Sequence, residues 1–361
     1  MTTHVTTDTP DIPYVSHIAP DGSCAGELPE STPDAQSVIP LYQAMVRTRV
    51  FDARCVALHR TGRLGTYSSC LGQEAVGTGI AWAMAENDVL VPSYRDQAAQ
   101  LVRGVTPVEL LLYWGGDERG SEFSGPTRDF PICITVGEHG VQAAGVALGM
   151  KIRQRPEVAV CMMGDGASSK GAFYEAINTA GALNLPMVMV IVNNGWAISV
   201  PRSTQSVAPT LAQKAYAAGI PGIQVDGNDV VAVTDVASQA IERAREGGGP
   251  TLIEAVTYRL ADHTTVDDAR RYRDDEEVSS SWKREPIARI RQFLADAGVW
   301  TKEDEETLRT DCANEVDAAA EEFLAVKPQP TEAMFDYVWA ELPPDVARQR
   351  IQATLDWGKD G

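Results

Sequence analysis

The sequence predicts an α/β fold, a mostly parallel sheet with helices on both faces, and three observations carry that expectation. Residues 158–163 and 187–192 are uninterrupted apolar runs of strand length, the pattern of parallel strands buried on both sides. Between them Phe173, Ala176, Ile177 and Ala180 recur at helical spacing, so the stretch reads as strand, helix, strand with a right-handed crossover. Each apolar run stops at a polar cluster, Gly164-Asp165-Gly166 after the first and Asn193-Asn194-Gly195 after the second. Both clusters therefore fall at the carboxyl ends of neighbouring strands, where open sheets of this class bind ligands.

The other elements follow in chain order. Residues 1–40, rich in Thr, Pro, Asp and Ser, read as an extended arm, either lying on a neighbouring subunit or hanging free. Helical pattern begins at Leu41 and resumes over 73–84. Residues 88–92 form a short strand ended by Pro92, which leaves Ser93-Tyr94-Arg95-Asp96 at its tip. Thr106-Pro107-Val108-Glu109 is a capping box that starts a helix running to Trp114. Residues 141–153 are helical and unusually small in side chain (Ala143, Ala144, Gly145, Ala147, Gly149), which fits either a close helix contact or a helix buried under the sheet. A helix over 229–246 ends at Gly247-Gly248-Gly249-Pro250, a strand spans 251–257, and 258–273 is a polar loop long enough to be functional or disordered. From Glu285 onward the chain is helical, with Leu308, Cys312, Val316, Ala319 and Phe323 as its clearest stripe and 327–330 as a linker. The expected division is an arm over 1–40, a site-bearing α/β domain over 41–260, and a loop with C-terminal helices over 261–361.

Composition excludes several classes. The 361 residues are 44% hydrophobic and 22% charged, an ordinary globular balance. A net charge of −19 leaves no basic face for a nucleic-acid backbone. No apolar run approaches the roughly 18 residues of a membrane span. The first forty residues hold no Lys or Arg, so neither a secretory n-region nor an Arg-rich transit peptide is expected, and the cytoplasm is the expected location. The six cysteines include no C-x-x-C pair and read as plain thiols.

The glycine-flanked Asp165 has several chemical readings. A dinucleotide fingerprint fails because position 169 is Ser, a Walker loop fails because Gly171 follows Lys170, and the alternating oxygens of an EF-hand are missing. What fits is a divalent cation bridging to a diphosphate: a carboxylate from Asp165, an amide oxygen from Asn194 29 positions later, and the Trp196 carbonyl. Magnesium prefers such hard oxygens in a near-octahedral shell that also holds phosphate oxygens and water. On this reading Gly164 and Gly166 leave room for the anion, and the following helix offers its N–H groups. The competing reading makes Asp165 a helix cap and Asn193-Asn194 a turn.

At these residues the sequence resembles a known family, the alpha subunits of the decarboxylating first component of 2-oxo acid dehydrogenase complexes, which depend on thiamine diphosphate. The resemblance spans about 41–273. Besides the two strand-tip clusters it includes Gly62-Arg63-Leu64-Gly65-Thr66-Tyr67, Gly72-Gln73-Glu74-Ala75, Pro92-Ser93-Tyr94-Arg95-Asp96, Gln142-Ala143-Ala144-Gly145, Val225-Asp226-Gly227-Asn228-Asp229, and Tyr258-Arg259 with His263. It implies a pyrophosphate-type thiamine diphosphate domain in which Asp165, Asn194 and the Trp196 carbonyl hold Mg2+. Tyr94, Arg95, Arg259 and His263 would meet the diphosphate, with Gly164, Gly166 and Ala167 in the same cofactor-binding turn. Val136 and Gly137 would lie against the aminopyrimidine, and His263 would also face the reacting carbon as the catalytic residue. His139 stands where a glutamine is common, Gly140 where an apolar or aromatic residue is usual, and Val192 where some relatives carry Arg. Thr264 occupies the place of a regulatory phosphoserine in mitochondrial relatives, and regulation there is not expected in this chain.

The resemblance further implies a beta subunit that supplies the glutamate on the pyrimidine nitrogen, hence an α2β2 heterotetramer. The lipoyl domain of a dihydrolipoyl acyltransferase would then accept the acyl group. The 65–67 and 92–95 segments resemble pyruvate-type chains, so pyruvate is the expected substrate, with branched-chain 2-oxo acids next and acetoin third. A non-catalytic, metal-stabilised scaffold is the reading from another class.

Overall fold

A computed structural model describes residues 11–357. A six-stranded, wholly parallel sheet runs in the order β1-β7-β8-β4-β3-β2. Its strands are β1 (Tyr14–Val15), β2 (Val89–Val91), β3 (Ala159–Gly164), β4 (Met187–Asn193), β7 (Gly222–Asp226) and β8 (Thr251–Val256), while β5 (Trp196–Ala197) and β6 (Val200–Pro201) make a separate small hairpin. The helices are α1 (Ala35–Arg60), α2 (Glu74–Trp82), α3 (Gln97–Arg103), α4 (Pro107–Trp114), α5 (His139–Ile152), α6 (Gly171–Ala182), α7 (Arg202–Gln205), α8 (Val230–Arg245), α9 (Asp275–Trp282), α10 (Pro286–Asp296), α11 (Lys302–Ala325) and α12 (Pro344–Trp357). The expected fold class is borne out.

Alternation along the strands explains why both faces are covered. Leu90, Val160, Met162, Val188, Val190 and Ile253 point to one side, where α2, α3 and α8 close over them. Val89, Val91, Cys161, Met163, Met189, Ile191 and Leu252 point to the other, under α5 and α6. Each such side chain fully removed from water is worth about 1.5–3 kcal/mol, so the central strands anchor the molecule. The C-terminal helices pack elsewhere: Ile287, Ile290 and Leu294 of α10 meet Leu41, Tyr42 and Met45 of α1, and Val316 and Ala320 of α11 meet Phe51 and Leu110.

Several expectations change. The first helix starts at Ala35 rather than Leu41, because Asp34 accepts from Ser37 N at 2.8 Å and Ser37 Oγ reaches back to the Asp34 backbone. The described part of the arm lies on its own chain: Tyr14 and Val15 pair with Gln224 and Val225, and Asp229 accepts from the N–H groups of His17 at 2.6 Å and Ile18 at 2.7 Å. The arm's first ten residues lie outside the described residues. Strands β1 and β7, helices α3 and α9, and the β5–β6 hairpin lack expected counterparts; two-residue strands and the polar 275–282 segment carry too little periodicity to be read. The capping box at Thr106 and the linker at 327–330 form as expected.

The turn after β3 also differs. A 3-10 turn over Asp165–Ser169 precedes α6, so the backbone beside the carboxylate is that turn's and not the N-terminus of the long helix. Gly166 is required by the protein itself, since a Cβ there would sit 2.7 Å from the Ala197 Cβ of the hairpin. Gly164 alone faces open space. In α5 the two readings divide by face: Ala143, Ala144 and Ala147 are buried, whereas Gly145 and Gly149 meet nothing on the outer side.

Candidate active site

The register Gly164↔Val192 between β3 and β4 sets Asp165 beside the Asn193-Asn194 pair. Their tips open into one cleft, whose wall holds Asp165, Asn194, Trp196, Tyr94, Arg95, Val136, Gly137, Gly164, Gly166, Ala167 and His263. The structure places every residue of the expected site but one along this cleft. Arg259 is fully buried and stands behind the wall.

Three oxygen-bearing residues, Asp165, Asn194 and Trp196, line this cleft together. The Asp165 carboxylate is 2% exposed and uses one oxygen to accept from Gln205 Nε2 at 3.2 Å. Burial pushes its pKa up, against the Gln205 hydrogen bond and the Arg259 charge. A cation at this point would relieve that penalty. Asn194 Oδ1 accepts a long bond from Trp196 N at 3.3 Å, and Asn194 Nδ2 donates to Gln73 Oε1 at 3.1 Å. The Trp196 carbonyl accepts from Arg259 Nη1 at 3.3 Å and keeps a second lone pair. No cluster of three His, Cys, Asp or Glu side chains exists among the described residues, so any cation here would rely on this mixed set of carboxylate, amide and carbonyl.

Cationic side chains stand beside this set. Arg95 and Arg259 are both buried, and neither forms an ion pair with a carboxylate among the described residues. Instead both point at His263: Arg95 Nη2 is 3.1 Å and Arg259 Nη1 3.3 Å from its Nδ1. Guanidinium can only donate, so Nδ1 is the acceptor and Nε2 carries the ring hydrogen. Burial first, then the Arg95 and Arg259 charges, hold the His263 pKa down at about 4, while Asp267 opposes them. Asp267 Oδ2 accepts from His263 N at 3.0 Å and from the Tyr272 hydroxyl, which in turn accepts from Arg259 Nη2 at 2.9 Å. Two buried cations around a neutral imidazole leave a surplus of positive charge that an anion would satisfy.

Several supporting residues were missed. Glu254 on β8 is fully buried and accepts from Asn193 Nδ2 at 2.7 Å, Ala212 N at 2.9 Å and Gln224 Nε2 at 3.1 Å. Lys214 Nζ donates to Ser168 O at 2.5 Å and Ser168 Oγ at 2.9 Å, and Ser168 Oγ donates to the Asp165 carbonyl at 2.7 Å. Burial lowers the Lys214 pKa. Residues 212–214 thus brace both strand tips from below. An acid inside an apolar strand was the available signal, because a buried carboxylate must be paired. His139 is buried and donates from Nε2 to Met162 O at 2.8 Å. A Cβ on Gly140 would lie 3.3 Å from the Ala176 Cβ and the Met163 Cε, so a side chain there would press on both neighbours.

Comparison with known proteins decides the family. Residues 42–332 match the family described as Dehydrogenase E1 component. The chain belongs to the dehydrogenase E1 component family. It is 39% identical over 332 residues to the pyruvate dehydrogenase E1 component subunit alpha of Staphylococcus epidermidis, covering 91% of this chain and 89% of that protein. It is 39% identical over 315 residues to the subunit of the same name in Staphylococcus aureus, covering 87% and 85%. It is also 40% identical over 349 residues to the 3-methyl-2-oxobutanoate dehydrogenase subunit alpha of Mycobacterium tuberculosis, covering 95% and 94%. No helix among the described residues is long and apolar enough to cross a membrane.

Proposed function

We propose that this chain is the alpha subunit of a 2-oxo acid dehydrogenase that decarboxylates pyruvate with thiamine diphosphate and Mg2+ and passes the acyl group to a lipoyl domain. The observation that carries the reading is a cleft lined by Asp165, Asn194 and Trp196 beside two buried guanidiniums, Arg95 and Arg259, without carboxylate partners. That pairing suits a diphosphate held by a cation on one side and by N–H donors on the other. Asp165, Asn194 and the Trp196 carbonyl would hold Mg2+. Tyr94, Arg95 and His263, with Arg259 behind, would hold the diphosphate, beside the turn of Gly164, Gly166 and Ala167, and Val136 and Gly137 would lie against the pyrimidine.

When bound, thiamine diphosphate supplies the electron sink for decarboxylation. This chain's own work is to bind, orient and manage protons. Arg95 and Arg259 fix the His263 ring through Nδ1, which leaves Nε2–H to donate to the substrate carbonyl oxygen. Because the His263 pKa is held at about 4, the ring is a neutral donor at pH 7. The buried walls around Asp165 and Asn194 exclude bulk water from the charged groups.

The site needs a second chain on this reading. Ile134, Val136, Ile198 and Val200 are exposed around the cleft, and the outer face of α5 presents Val141, Gly145, Gly149 and Ile152. An apolar rim of this extent supports a beta subunit seated over the cleft in an α2β2 heterotetramer. The proposed division is an arm over 1–34, ending where α1 begins rather than at the expected 40, a cofactor domain over 35–260, and a site loop with C-terminal helices over 261–361.

Branched-chain 2-oxo acids are the second reading, favoured by the similarity to the M. tuberculosis subunit. One methylene is worth only about 1–3 kcal/mol in an apolar pocket, so the choice falls to experiment. With the beta subunit and an artificial electron acceptor, the proposal expects a higher kcat/KM for pyruvate than for 3-methyl-2-oxobutanoate. The reverse order would assign the second reading, and no thiamine diphosphate binding with Mg2+ would defeat both.

A further inference from the structure

Gln73 occupies an unusual position for an uncharged side chain. It is 4% exposed, sits immediately before α2, and lines the cleft beside Asn194. Its Oε1 accepts from Asn194 Nδ2 at 3.1 Å, but its Nε2 has no partner despite being buried. The two amides cannot exchange roles freely, because Asn194 Oδ1 already accepts from Trp196 N at 3.3 Å. Asn194 must therefore present nitrogen to Gln73, and Gln73 must direct its own donor elsewhere.

The backbone carrying Gln73 is held from several sides. Gly72 has a φ of +89°, and a Cβ there would lie 2.7 Å from the Tyr258 carbonyl. Thr257 Oγ1 donates to Gly72 O at 2.8 Å, and Gly72 N donates to Glu74 Oε2 at 2.9 Å. Glu74 is itself fully buried and paired with Arg49 at 2.5 Å. A buried amide donor left unpaired in so fixed a frame is costly unless a ligand completes it.

We infer that Gln73 positions Asn194 for the cation and donates Nε2–H to an anionic oxygen that the cation carries, a phosphate oxygen of the diphosphate. Its Oε1 fixes the amide so that Asn194 Oδ1 is presented to the metal, and its Nε2 adds one neutral donor to the cationic set. This rests on the functional reading above and assigns a role to a residue outside the set already proposed to hold the cofactor.

The test uses the full chain purified with its beta subunit, as wild type, Gln73→Met and Gln73→Glu. Each is titrated with Mg2+ at fixed thiamine diphosphate, and with thiamine diphosphate at saturating Mg2+, by calorimetry and tryptophan fluorescence. Loss of a group that orients a metal ligand typically weakens metal binding by roughly 10- to 100-fold, so Gln73→Met should raise the half-saturating Mg2+ concentration at least about tenfold. Gln73→Glu keeps an oxygen for Asn194 Nδ2 but turns the free donor into a negative charge. Its Mg2+ requirement should move less than that of Gln73→Met, while its diphosphate affinity falls further. Thermal unfolding of the cofactor-free complexes should match wild type. Titrations unchanged from wild type in both variants would overturn the inference, as would affinity losses that only track a loss of folded protein. If Gln73→Met does not fold, Gln73→Glu decides alone, with unchanged diphosphate affinity counting against the inference. A wild-type complex that binds no thiamine diphosphate with Mg2+ would instead defeat the functional reading itself.

Discussion

The strand-tip wall of the cleft is held by backbone pairing, whereas the loop wall is held by side chains that crowd positive charge together. Asp165 and Asn194 extend from β3 and β4, whose paired residues are almost all buried, and Glu254 and Lys214 brace them from below. Arg95, Arg259 and His263 are joined across the chain by hydrogen bonds alone, with no carboxylate paired to either guanidinium among the described residues. The first wall is braced by hydrogen bonds from its own chain; the second gathers positive charge that no carboxylate pairs among the described residues. That contrast supports the proposed ligand: oxygen-bearing residues beside cations without carboxylate partners suit a metal-bound polyanion.

The largest effect should come from the strand tip. Asp165→Asn removes the one charged donor of the oxygen set, and losing a charged hydrogen-bonding or metal contact costs about 3 kcal/mol, or about a hundredfold in affinity. Calorimetry with thiamine diphosphate and Mg2+ checks it, and binding that stays insensitive to Mg2+ would break the comparison.

Next comes the brace. Glu254→Ala leaves Asn193 Nδ2, Ala212 N and Gln224 Nε2 without their shared acceptor. It should lower stability by about 2–3 kcal/mol and weaken cofactor binding together, measured by denaturant unfolding and by titration. A stability loss with cofactor affinity intact would show that the brace does not hold the site.

On the loop wall, Arg259→Met should weaken diphosphate binding by about 2 kcal/mol, or about thirtyfold, and Arg259→Lys by less, since it keeps charge but loses the fork. Equal losses in the two variants would mean that geometry and not charge is what Arg259 supplies.

The smallest effect is in pH. His263 is held at about 4 in the folded chain, below its ordinary value near 6.5, so the unfolded state binds more protons between those values. Stability from this group is fully present above about 6.5 and declines as pH falls through about 4. Ring NMR shifts should report a neutral His263 with its hydrogen on Nε2 at pH 7, and a higher pKa once diphosphate is bound. A cofactor-free pKa near 6.5 would remove the cationic crowding that distinguishes this wall.

The two walls also differed in how well the sequence revealed them. Residues 158–163 and 187–192 are long apolar runs, and their tips carry Gly164-Asp165-Gly166 and Asn193-Asn194, so strand, helix, strand and the oxygen set could be read directly. The loop wall had no periodicity to read; Arg259 and His263 were recognised by resemblance, and the burial of Arg259 behind the wall came only with the fold. Gln73, Lys214 and Glu254 lie far from the strand tips in sequence, and side-chain contacts over such separations leave no local pattern. Strand β1 escaped notice because two residues, Tyr14 and Val15, complete an edge that β7 sets.

The most direct test of the central claim is a crystal structure of the complex with thiamine diphosphate and Mn2+ in place of Mg2+, read by anomalous scattering. The account predicts one peak in contact with an Asp165 carboxylate oxygen, Asn194 Oδ1 and the Trp196 carbonyl, at about 2.0–2.3 Å. A cofactor seated with no metal at those three oxygens, or a metal bound elsewhere, would contradict it.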